Sequence, residues 1–306
     1  MSIRHATLHQ LKVFSLVAEQ GSFVRAAEAL HLTPPAVSIQ VRQLAEAVGA
    51  PLFEQVGKRI YLTEAGRVVA AGARDVLHRL SRIGDELQSL QGLEQGFLRL
   101  AILTTAQFFI PRWLGHFCRQ HPGIEASLFV GNREQVMQRL TRHEDDLYIV
   151  GQPPEKIQAV AQVFAPNDLV LVAAAGHPWQ DRSSIKVQAL DQQPFILREV
   201  GSGTRLVTET FFTQHGIKPL VRMELGSNEV IKQAVIGGLG LAILSEQAVQ
   251  AEIASGSLVR LDLQGLPLKR QWYVAWPSER ALSPAAAAFV ELLMQPPPAL
   301  AQAPSV

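Results

Sequence analysis

The chain has 306 residues, of which 47% are hydrophobic and 18% are charged, and this balance excludes a disordered or collagen-like protein. The 28 lysines and arginines nearly match the 27 acidic residues, so a uniformly basic surface is excluded and any DNA-binding surface must be local. The single cysteine, Cys118, excludes an intramolecular disulfide and a cysteine-rich metal centre within one chain.

Residues 7–62 predict a helix-turn-helix module. An apolar face at helical spacing ends at Gly21, and Ser22 is a suitable N-cap for a second helix, Phe23 to Leu30. The alanines of this second helix are small enough to allow close helix–helix packing. After a short break, a third helix is expected from Pro34 to about Val48.

The third helix is the candidate recognition helix. Thr33 can cap it, and Pro34 can occupy its first position, where a missing N–H costs nothing. At 100° per residue, one apolar stripe about 60° wide must face the core. The stripe consists of Val37, Val41, Leu44 and Val48. The far side consists of Pro35, Ser38, Ile39 and Arg42, with Pro34 near them. In a major groove, Ser38 and Arg42 would be the hydrogen-bonding groups, because arginine pairs bidentately with guanine.

Residues 51–63 predict a wing, formed by two short strands around a turn at Gly57. Lys58 and Arg59 at its tip suit contact with phosphates, although the same pair is compatible with a solvated turn. The candidate DNA-binding residues are Ser22, Thr33, Pro34, Pro35, Ser38, Arg42, Lys58 and Arg59.

A long helical pattern runs over residues 63–91, with Thr63 as cap and Glu64 in the first turn, where a negative charge is favoured. Its apolar residues follow heptad spacing. The candidate dimerisation seam consists of Val69, Ala73, Val76, Leu80, Ile83, Leu87 and Leu90. At 1.5 Å per residue the helix is about 42 Å long, so the seam predicts a partner helix from a second copy. The alternative is packing against the chain's own later domain.

Residues 92–295 alternate strands and helices, which implies parallel sheets with ligands at the carboxyl ends of strands. A strand, a polar turn and a helix recur in four places. The polar turns are Thr104-Thr105, before a helix starting near Ala106, then Gly131-Asn132, Gly201 to Thr204, and Gly226 to Asn228. Such turns offer N–H groups and a positive helix end to anions.

The richest of these turns is Gly201-Ser202-Gly203-Thr204-Arg205, which combines a flexible backbone, two hydroxyls and a guanidinium at one helix start. Together with Thr104, Thr105 and Arg198 in equivalent turns, it suits a phosphate or a carboxylate. The alternative is a simple helix cap. Neither a P-loop nor a dinucleotide-binding fingerprint occurs in the sequence.

Two lobes are expected in this region. The strand Arg270–Trp276 and the helix Pro284–Met294 should return to the first lobe, so that two crossings form a hinge and the cleft can close on a small molecule. Lobe I comprises residues 92–164 and 267–295, and lobe II comprises residues 165–266. The proline-rich tail, residues 296–306, is expected to be disordered.

Catalysis and metal binding find little support in the sequence. No His-Glu-x-x-His motif occurs, and Asp145-Asp146 is expected to be a solvated loop pair. We therefore assign no catalytic residue, no metal and no resident cofactor. Because we find no signal-peptide pattern and no run of roughly 18 uncharged apolar residues, we expect a cytoplasmic protein without a membrane partner.

The first 66 residues resemble the LysR-type transcriptional regulators. The matching segments are Phe14–Phe23, Ala26–Leu30, Pro35–Ser38, Gln43-Leu44, Gly49, Leu52-Phe53 and Leu62–Gly66. The resemblance implies an α+β and α/β fold, with a winged helix-turn-helix over residues 1–62, a dimerising linker helix over 63–91 and a two-lobed, periplasmic-binding-protein-like effector domain over 92–295. Pro34 stands where many relatives carry a glutamine that can touch DNA, which shifts the expected base contacts to Ser38 and Arg42.

Within that family, the later part is similar to the regulators of Calvin-cycle (RuBisCO operon) genes. The residues behind this are Thr104–Pro111, Val130–Glu134, Val150–Pro154, His177-Pro178 and Phe195–Arg205. Gln152 and Val200 stand where relatives often carry arginine and proline. The candidate effector-binding residues are Thr104, Thr105, Asn132, Gly151, Gln152, Arg198, Glu199, Gly201, Ser202, Gly203, Thr204, Arg205 and Asn228.

The sequence thus predicts a metabolite-responsive, sequence-specific DNA-binding regulator. The resemblance implies homotetramers, activation of carbon-fixation operons through RNA polymerase, and a phosphorylated effector such as a sugar bisphosphate, or NADPH. One alternative is a LysR-type regulator of another metabolic operon. Another is a cytoplasmic solute receptor or enzyme whose N-terminal helices serve only assembly, and the basic wing tip and outward-facing Arg42 argue against it.

Overall fold

The computed structural model describes residues 5–57, 59–89, 95–153 and 157–296. The chain divides into two units, Met1–Leu87 and Gln88–Val306. Each unit has its own hydrophobic core. Within the described ranges, no helix is both long enough and apolar enough to cross a membrane. The tail beyond Pro296 lies outside the described residues.

The first unit is a helix-turn-helix with a two-stranded wing, followed by a long helix. Its elements are α1 (Leu8–Gln20), α2 (Phe23–Leu30), α3 (Pro34–Val48), β1 (Phe53–Val56), β2 (Arg59–Leu62) and α4 (Glu64–Ser89). The strands β1 and β2 pair antiparallel on either side of Gly57, so the predicted wing is confirmed. Gly21 and Gly49 end α1 and α3 in the left-handed conformation, with φ of 59° and 78°.

The two predicted caps of the helix-turn-helix differ. The hydroxyl of Ser22 accepts a hydrogen bond from the N–H of Arg25 at 3.4 Å, as expected of an N-cap. Thr33 occupies the N-cap position of α3, but its side chain makes no capping bond, so the predicted capping bond is wrong. Pro34 and Pro35 have no N–H to donate, and the N–H of Ala36, the next available donor, makes no bond to the threonine hydroxyl.

The core of the first unit lies between the three short helices and the base of the wing. Val37, Val41 and Leu44 of α3 are at most 7% exposed, which confirms these three members of the predicted apolar stripe, and the fourth, Val48, is half-buried against the same core. The rings of Phe14 and Phe53 lie 5.3 Å apart and join α1 to β1. The opposite face of α3 is exposed.

The start of α4 is fixed to the base of the wing. The hydroxyl of Thr63 accepts a hydrogen bond from the N–H of Gly66 at 2.9 Å and donates one to the carbonyl of Pro51 at 2.6 Å. A Cβ added at Gly66 would lie 2.0 Å from the carbonyl oxygen of Leu52, so only glycine allows this approach. The start of α4 therefore packs directly against the base of the wing.

The predicted dimerisation seam of α4 divides into two parts. Val69 and Ala73 are 8% and 2% exposed and belong to the core of the first unit, because the first turns of α4 pack under the helix-turn-helix. This corrects their assignment to an intermolecular seam. In the second part of the seam, Val76, Leu80 and Ile83 are at least 40% exposed. The side chain of Leu87 and the whole of Leu90 lie outside the described residues.

The second unit is built from two lobes. In chain order its elements are β3 (Gly96–Leu103), α5 (Ile110–Gln120), β4 (Ile124–Gly131), α6 (Arg133–Thr141), β5 (Leu147–Val150), β6 (Ala159–Pro166), β7 (Leu169–Ala174), β8 (Pro194–Arg198), α7 (Gly203–His215), β9 (Leu220–Leu225), α8 (Asn228–Ile236), β10 (Ala242–Ser245), α9 (Glu246–Ser255), β11 (Leu258–Arg260), β12 (Gln271–Pro277) and α10 (Pro284–Leu293). The strands β7 to β11 form the second lobe, and β12 and α10 return to the first.

The sheets of the two lobes mix parallel and antiparallel strands. In the first lobe the order is β4-β3-β5-β12-β6, with β3 parallel to β4 and β5 as predicted, but with β12 antiparallel to β5 and β6. In the second lobe β8 is parallel to β9, whereas β7 is antiparallel to β10 and β11. The prediction of purely parallel sheets is therefore wrong for β7 and β12. Each of these strands comes from the other lobe without a helical crossover, so it is free to enter its sheet in the reverse direction.

Two local predictions are corrected in the first lobe. Ala106–Phe108 is a single 3₁₀ turn and α5 begins after it, because Pro111 suits the first turn of a helix and not its interior. Asp145 and Asp146 are not a solvated pair. The carboxylate of Asp145 is 3% exposed and accepts hydrogen bonds from Arg139 at 2.7 and 2.8 Å.

Candidate functional site

A cleft between the two lobes of the second unit brings together turns from distant parts of the chain. Its cavity volume is about 30 Å³. Its walls come from the ends of β3, β5 and β8, the starts of α6 and α7, and the crossings between the lobes. The predicted effector-binding residues that line it are Thr104, Thr105, Asn132, Gly151, Gln152, Arg198, Ser202, Gly203 and Thr204.

Arg198, at the end of β8, is a buried positive charge in this cleft and is 3% exposed. Its guanidinium pairs with the carboxylate of Glu199 at 2.7 Å and donates to the side-chain oxygen of Asn228 at 2.7 Å. A third bond, 3.0 Å long, reaches the hydroxyl of Thr104 at the end of β3. Because β3 belongs to the first lobe and β8 to the second, this bond joins the lobes across the cleft.

Arg270 enters the cleft from the return crossing between the lobes. Its guanidinium donates to the carbonyl of Gly151 at 2.7 Å. Burial and the positive charge of nearby Arg133 lower the pKa of Arg270 from its usual value. In the part of the chain that the structure describes, neither Arg133 nor Arg270 forms an ion pair with a carboxylate, whereas Arg198 does. The cleft therefore holds positive charge that a bound anion can neutralise.

The start of α7 adds hydrogen-bond donors to the cleft. Ser202 is the N-cap residue and is 6% exposed, but its side chain makes no capping bond, so its hydroxyl does not occupy the first N–H groups of the helix. By contrast, α6 is closed by its own capping box, in which Asn132 and Gln135 exchange hydrogen bonds of 2.9 and 3.0 Å. An anion in the cleft can therefore bind the N–H groups and the positive dipole end of α7.

Gly201 lies at the mouth of the cleft and not on its lining. The N–H of Glu134, at the start of α6, donates to the carbonyl of Gly201 at 3.3 Å. Gly201 has a φ of +88°, and a Cβ there would lie 2.9 Å from the carboxylate of Glu134. Its assignment as an effector-binding residue is thus corrected: it allows the two lobes to touch.

Arg205, the strongest sequence-based candidate, does not line this cleft but the adjoining groove between α6 and α7. Its guanidinium forms ion pairs with Glu209 at 2.7 Å and with Glu224 at 2.6 Å. Hydrogen bonds to these carboxylates raise the pKa of Arg205. The helical twist turns Arg205 toward β9, although Thr204 one residue earlier lines the cleft.

The assignment of Glu199 and Asn228 as effector-binding residues is also corrected. Both accept hydrogen bonds from Arg198, and neither lines the cleft. In exchange, the structure adds polar lining residues that the sequence did not predict: Arg133, Asn167 and Arg270. Asn167 and Arg270 sit at the two crossings between the lobes, and the N–H of Asn167 donates to the carbonyl of Arg270 at 2.8 Å. The sequence signal that could have identified Asn167 and Arg270 was the presence of polar residues where the chain was predicted to cross between the lobes.

On the first unit, the outward face of α3 carries the predicted DNA-binding residues. The exposed members of the predicted set are Thr33, Pro34, Pro35, Ser38, Arg42 and Arg59. Ser22 is half-buried, since its hydroxyl caps α2, and Lys58 lies outside the described residues. A helix with these groups outward can contact base edges, and a wing can contact phosphates.

Comparison with known proteins decides the family. Residues 8–67 match the bacterial regulatory helix-turn-helix protein of the lysR family, and residues 91–296 match the LysR substrate binding domain. The chain belongs to the LysR family of bacterial transcriptional regulators. The predicted family and the winged helix-turn-helix with a two-lobed domain are thereby confirmed.

Relatives of this LysR-family regulator refine that result. The RuBisCO operon transcriptional regulator of Acidithiobacillus ferrooxidans is 56% identical over 293 residues, which are 96% of this chain and 95% of that protein. The regulatory domain of CcmR from Synechocystis PCC6803, solved in complex with 2-PG, is 48% identical with a TM-score of 0.64, over 65% of this chain and 96% of that one. The predicted similarity to RuBisCO operon regulators is confirmed.

The fold of the LysR-family chain as a whole matches full-length CbnR, solved in complex with its target DNA. The TM-score is 0.71 at 22% identity, and the match covers 94% of this chain and 98% of that one. At this identity the likeness concerns the fold alone.

Proposed function

We propose that this LysR-family regulator controls carbon-fixation genes and responds to a small phosphorylated metabolite bound in the cleft between its lobes. The RuBisCO operon regulator at 56% identity and the 2-PG complex of the CcmR regulatory domain at 48% identity support this assignment. The observation that carries it is the set of anion-binding groups around one small cleft: Arg198, Arg270 and the open start of α7. Guanidinium groups and helix N-termini are the groups that bind phosphate in proteins.

The lining favours an effector with more than one anionic or hydroxyl group. Arg133 and Arg270 supply charge without a carboxylate partner among the described residues, and Thr104 and Ser202 supply hydroxyls. Arg198, already paired with Glu199, holds Thr104 in position. A sugar bisphosphate or a smaller phosphorylated acid meets these requirements, and NADPH is the second candidate effector.

Effector binding is coupled to closure of the cleft. The bonds from Arg198 to Thr104 and from Glu134 to Gly201 already join the two lobes. A ligand that contacts both lobes gains its full set of bonds only in the closed form, so it shifts the population toward that form. In the assembled regulator, closure changes how the recognition helices are presented to DNA.

DNA is contacted by α3 and the wing. Ser38 and Arg42 reach base edges in the major groove, and Lys58 and Arg59 contact phosphates. The exposed seam of α4, residues 76–83, pairs with the same seam of a second copy, which presents two recognition helices to two half-sites. Pairs of dimers form a tetramer that activates transcription through RNA polymerase. The regulator acts in the cytoplasm, where its DNA lies, and catalyses no reaction.

A gel-shift titration against the promoter DNA flanking its own gene tests DNA binding. The triple variant Arg42→Ala, Lys58→Ala, Arg59→Ala is expected to lose on the order of 100-fold in affinity, because each contact contributes about 1 kcal/mol or more. The control is Val68→Ala, an exposed apolar residue of α4 outside the seam, which should bind as the wild type does. Equal binding by the triple variant would remove DNA binding from the proposal.

A thermal-shift screen identifies the effector. The ligands are 2-PG, sugar bisphosphates, NADPH and, as a control for any anion, inorganic phosphate. A ligand present at 100 times its Kd should stabilise the second unit by about 2.7 kcal/mol and raise its Tm. If none of the phosphorylated compounds raises the Tm more than inorganic phosphate does, the proposed effector class is wrong.

Sedimentation velocity tests the dimer. Leu80→Glu places a charge in the exposed seam and should shift the protein to monomers, because two like charges would face each other across the paired helices. Val68→Glu introduces the same charge on α4 outside the seam and should leave the assembly intact. Dissociation by both variants, or by neither, would contradict this seam.

A further inference from the structure

Ile39 is an apolar side chain at the centre of the outward face of α3. It is 41% exposed, whereas Val37 and Leu44 of the same helix are fully buried. At 100° per residue, Ile39 lies about 180° from the middle of the buried stripe. Ser38, by the same arithmetic, lies about 90° from it, at the edge of the outward face. The residues that point most directly away from the core are therefore Ile39 and, two turns later, Glu46.

The neighbours of Ile39 on this face give it a defined setting. Pro35 precedes it by one helical turn and Arg42 follows it by three residues, so the three side chains share the face. Both neighbours are exposed. Isoleucine is branched at Cβ and has one dominant rotamer in a helix, so its position is fixed before any partner binds.

We propose that Ile39 reads a thymine by packing against the C5-methyl group in the major groove. This inference rests on the proposed DNA contact of α3. Thymine is the one base of DNA that presents a methyl group there, and an apolar side chain on a recognition helix can discriminate it without a hydrogen bond. Ile39 thus adds an apolar contact to the hydrogen bonds of Ser38 and Arg42.

The geometry also places the thymine. Ile39 and Arg42 are separated by about 4.5 Å along the helix axis. Successive bases of one strand are about 3.4 Å apart, so the thymine lies within about two base pairs of the guanine that Arg42 contacts. The half-site therefore contains a thymine and a guanine in close proximity.

Uracil substitution tests this contact, because uracil lacks only the methyl group of thymine. In the promoter segment that the protein protects, each thymine is replaced singly by uracil, and affinity is measured by gel shift for the wild type and for Ile39→Ala. For the wild type, one thymine per half-site should show about a fourfold loss of affinity, the value of one buried methyl group. The Ile39→Ala variant should bind the unmodified DNA about fivefold more weakly and show less than about 1.5-fold further loss at that position.

Arg42→Ala is the matched control. It should bind all DNAs more weakly but keep the fourfold penalty for uracil at the same position, since its contact is to another base pair. A uracil penalty that persists in Ile39→Ala would overturn the assignment, and so would a wild type insensitive to every substitution. If the wild type does not bind the promoter DNA at all, the proposed function itself fails, which is a separate outcome.

Discussion

The outward face of α3 and the cleft of the second unit both carry positive charge, but they hold it in opposite ways. On α3, Arg42 is exposed to solvent. In the cleft, Arg198 is 3% exposed and bonded to Glu199, Asn228 and Thr104. A surface arginine contributes little to stability, whereas a buried one must be partnered within the fold. DNA specificity can therefore vary at little cost in stability, while effector chemistry in the cleft is tied to folding.

The largest expected effect is on stability. If it were absent, the contrast between the exposed Arg42 and the buried Arg198 would not hold. Arg198→Ala leaves Glu199 and Asn228 without their partner and should lower the free energy of unfolding of the second unit by about 3 kcal/mol. Arg42→Ala should change the stability of its own unit by less than about 0.5 kcal/mol. All four tryptophans, at positions 113, 179, 272 and 276, lie in the second unit, so urea unfolding followed by tryptophan fluorescence measures the effect of Arg198→Ala directly. The Arg42→Ala variant is compared with the wild type by circular dichroism.

The next effect is on ligand affinity, and it compares Arg270, which lines the cleft, with Arg205, which does not. Arg270→Ala removes a guanidinium that lines the cleft and should weaken binding of the proposed phosphorylated effector, with 2-PG as the probe, on the order of 50-fold, the value of a charge-assisted hydrogen bond. Arg205→Ala should weaken it by about twofold or less, because that guanidinium is held by Glu209 and Glu224. Isothermal titration calorimetry of both variants measures this, with DNA affinity in the absence of ligand as the control. A larger loss for Arg205→Ala would mean that the guanidinium of Arg205, and not that of Arg270, binds the anion.

A smaller effect concerns salt. An exposed cation that contacts a phosphate releases counterions, so Arg59→Ala at the wing should reduce the slope of log K against log salt by about 1 for each contact removed. Ile39→Ala removes no charge and should leave that slope unchanged. Gel shifts over a series of potassium chloride concentrations measure both slopes. Equal slopes for wild type and Arg59→Ala would mean that Arg59 makes no phosphate contact.

The smallest effect lies within the helix-turn-helix. Ser22→Ala should destabilise α2 by about 1 kcal/mol, since it removes a capping bond. Thr33→Ala should cost close to nothing at α3, since no such bond exists there. Hydrogen–deuterium exchange in peptides covering residues 22–30 and 34–48 detects each change locally. Faster exchange of α3 in Thr33→Ala would show that its hydroxyl does cap the helix in solution.

The sequence was sufficient where function depends on local periodicity. The buried stripe of α3 and the ends at Gly21 and Gly49 follow from 3.6 residues per turn and from the glycine left-handed conformation, so they could be predicted without any tertiary contact. The wing could be predicted for the same reason. Val69 and Ala73 show the limit of this approach, because heptad spacing does not say whether a stripe packs on its own unit or on another copy.

The cleft could be predicted only in part, because its residues meet through topology. Glycines and hydroxyls before α7 were recognisable, but the direction of Arg205 depends on Glu224, which is 19 residues away in β9. Arg270 reaches Gly151 across 119 residues, at a crossing whose strand runs antiparallel to its neighbours. No pattern along the chain encodes such a pairing. The same holds for the carboxylate of Asp145, which is buried by its bonds to Arg139.

Gly66 gives the first unit a mechanical property. Because its backbone lies directly against Leu52, α4 cannot rotate at its start without moving the base of the wing. The helix has 26 residues and is about 39 Å long. If α4 tilts as a rigid body about its start, a displacement of about 7 Å at its far end corresponds to a rotation of about 10° at the base of the wing. A movement applied at the far end of α4 reaches the wing as a change of angle, with no flexible joint at the wing to absorb it.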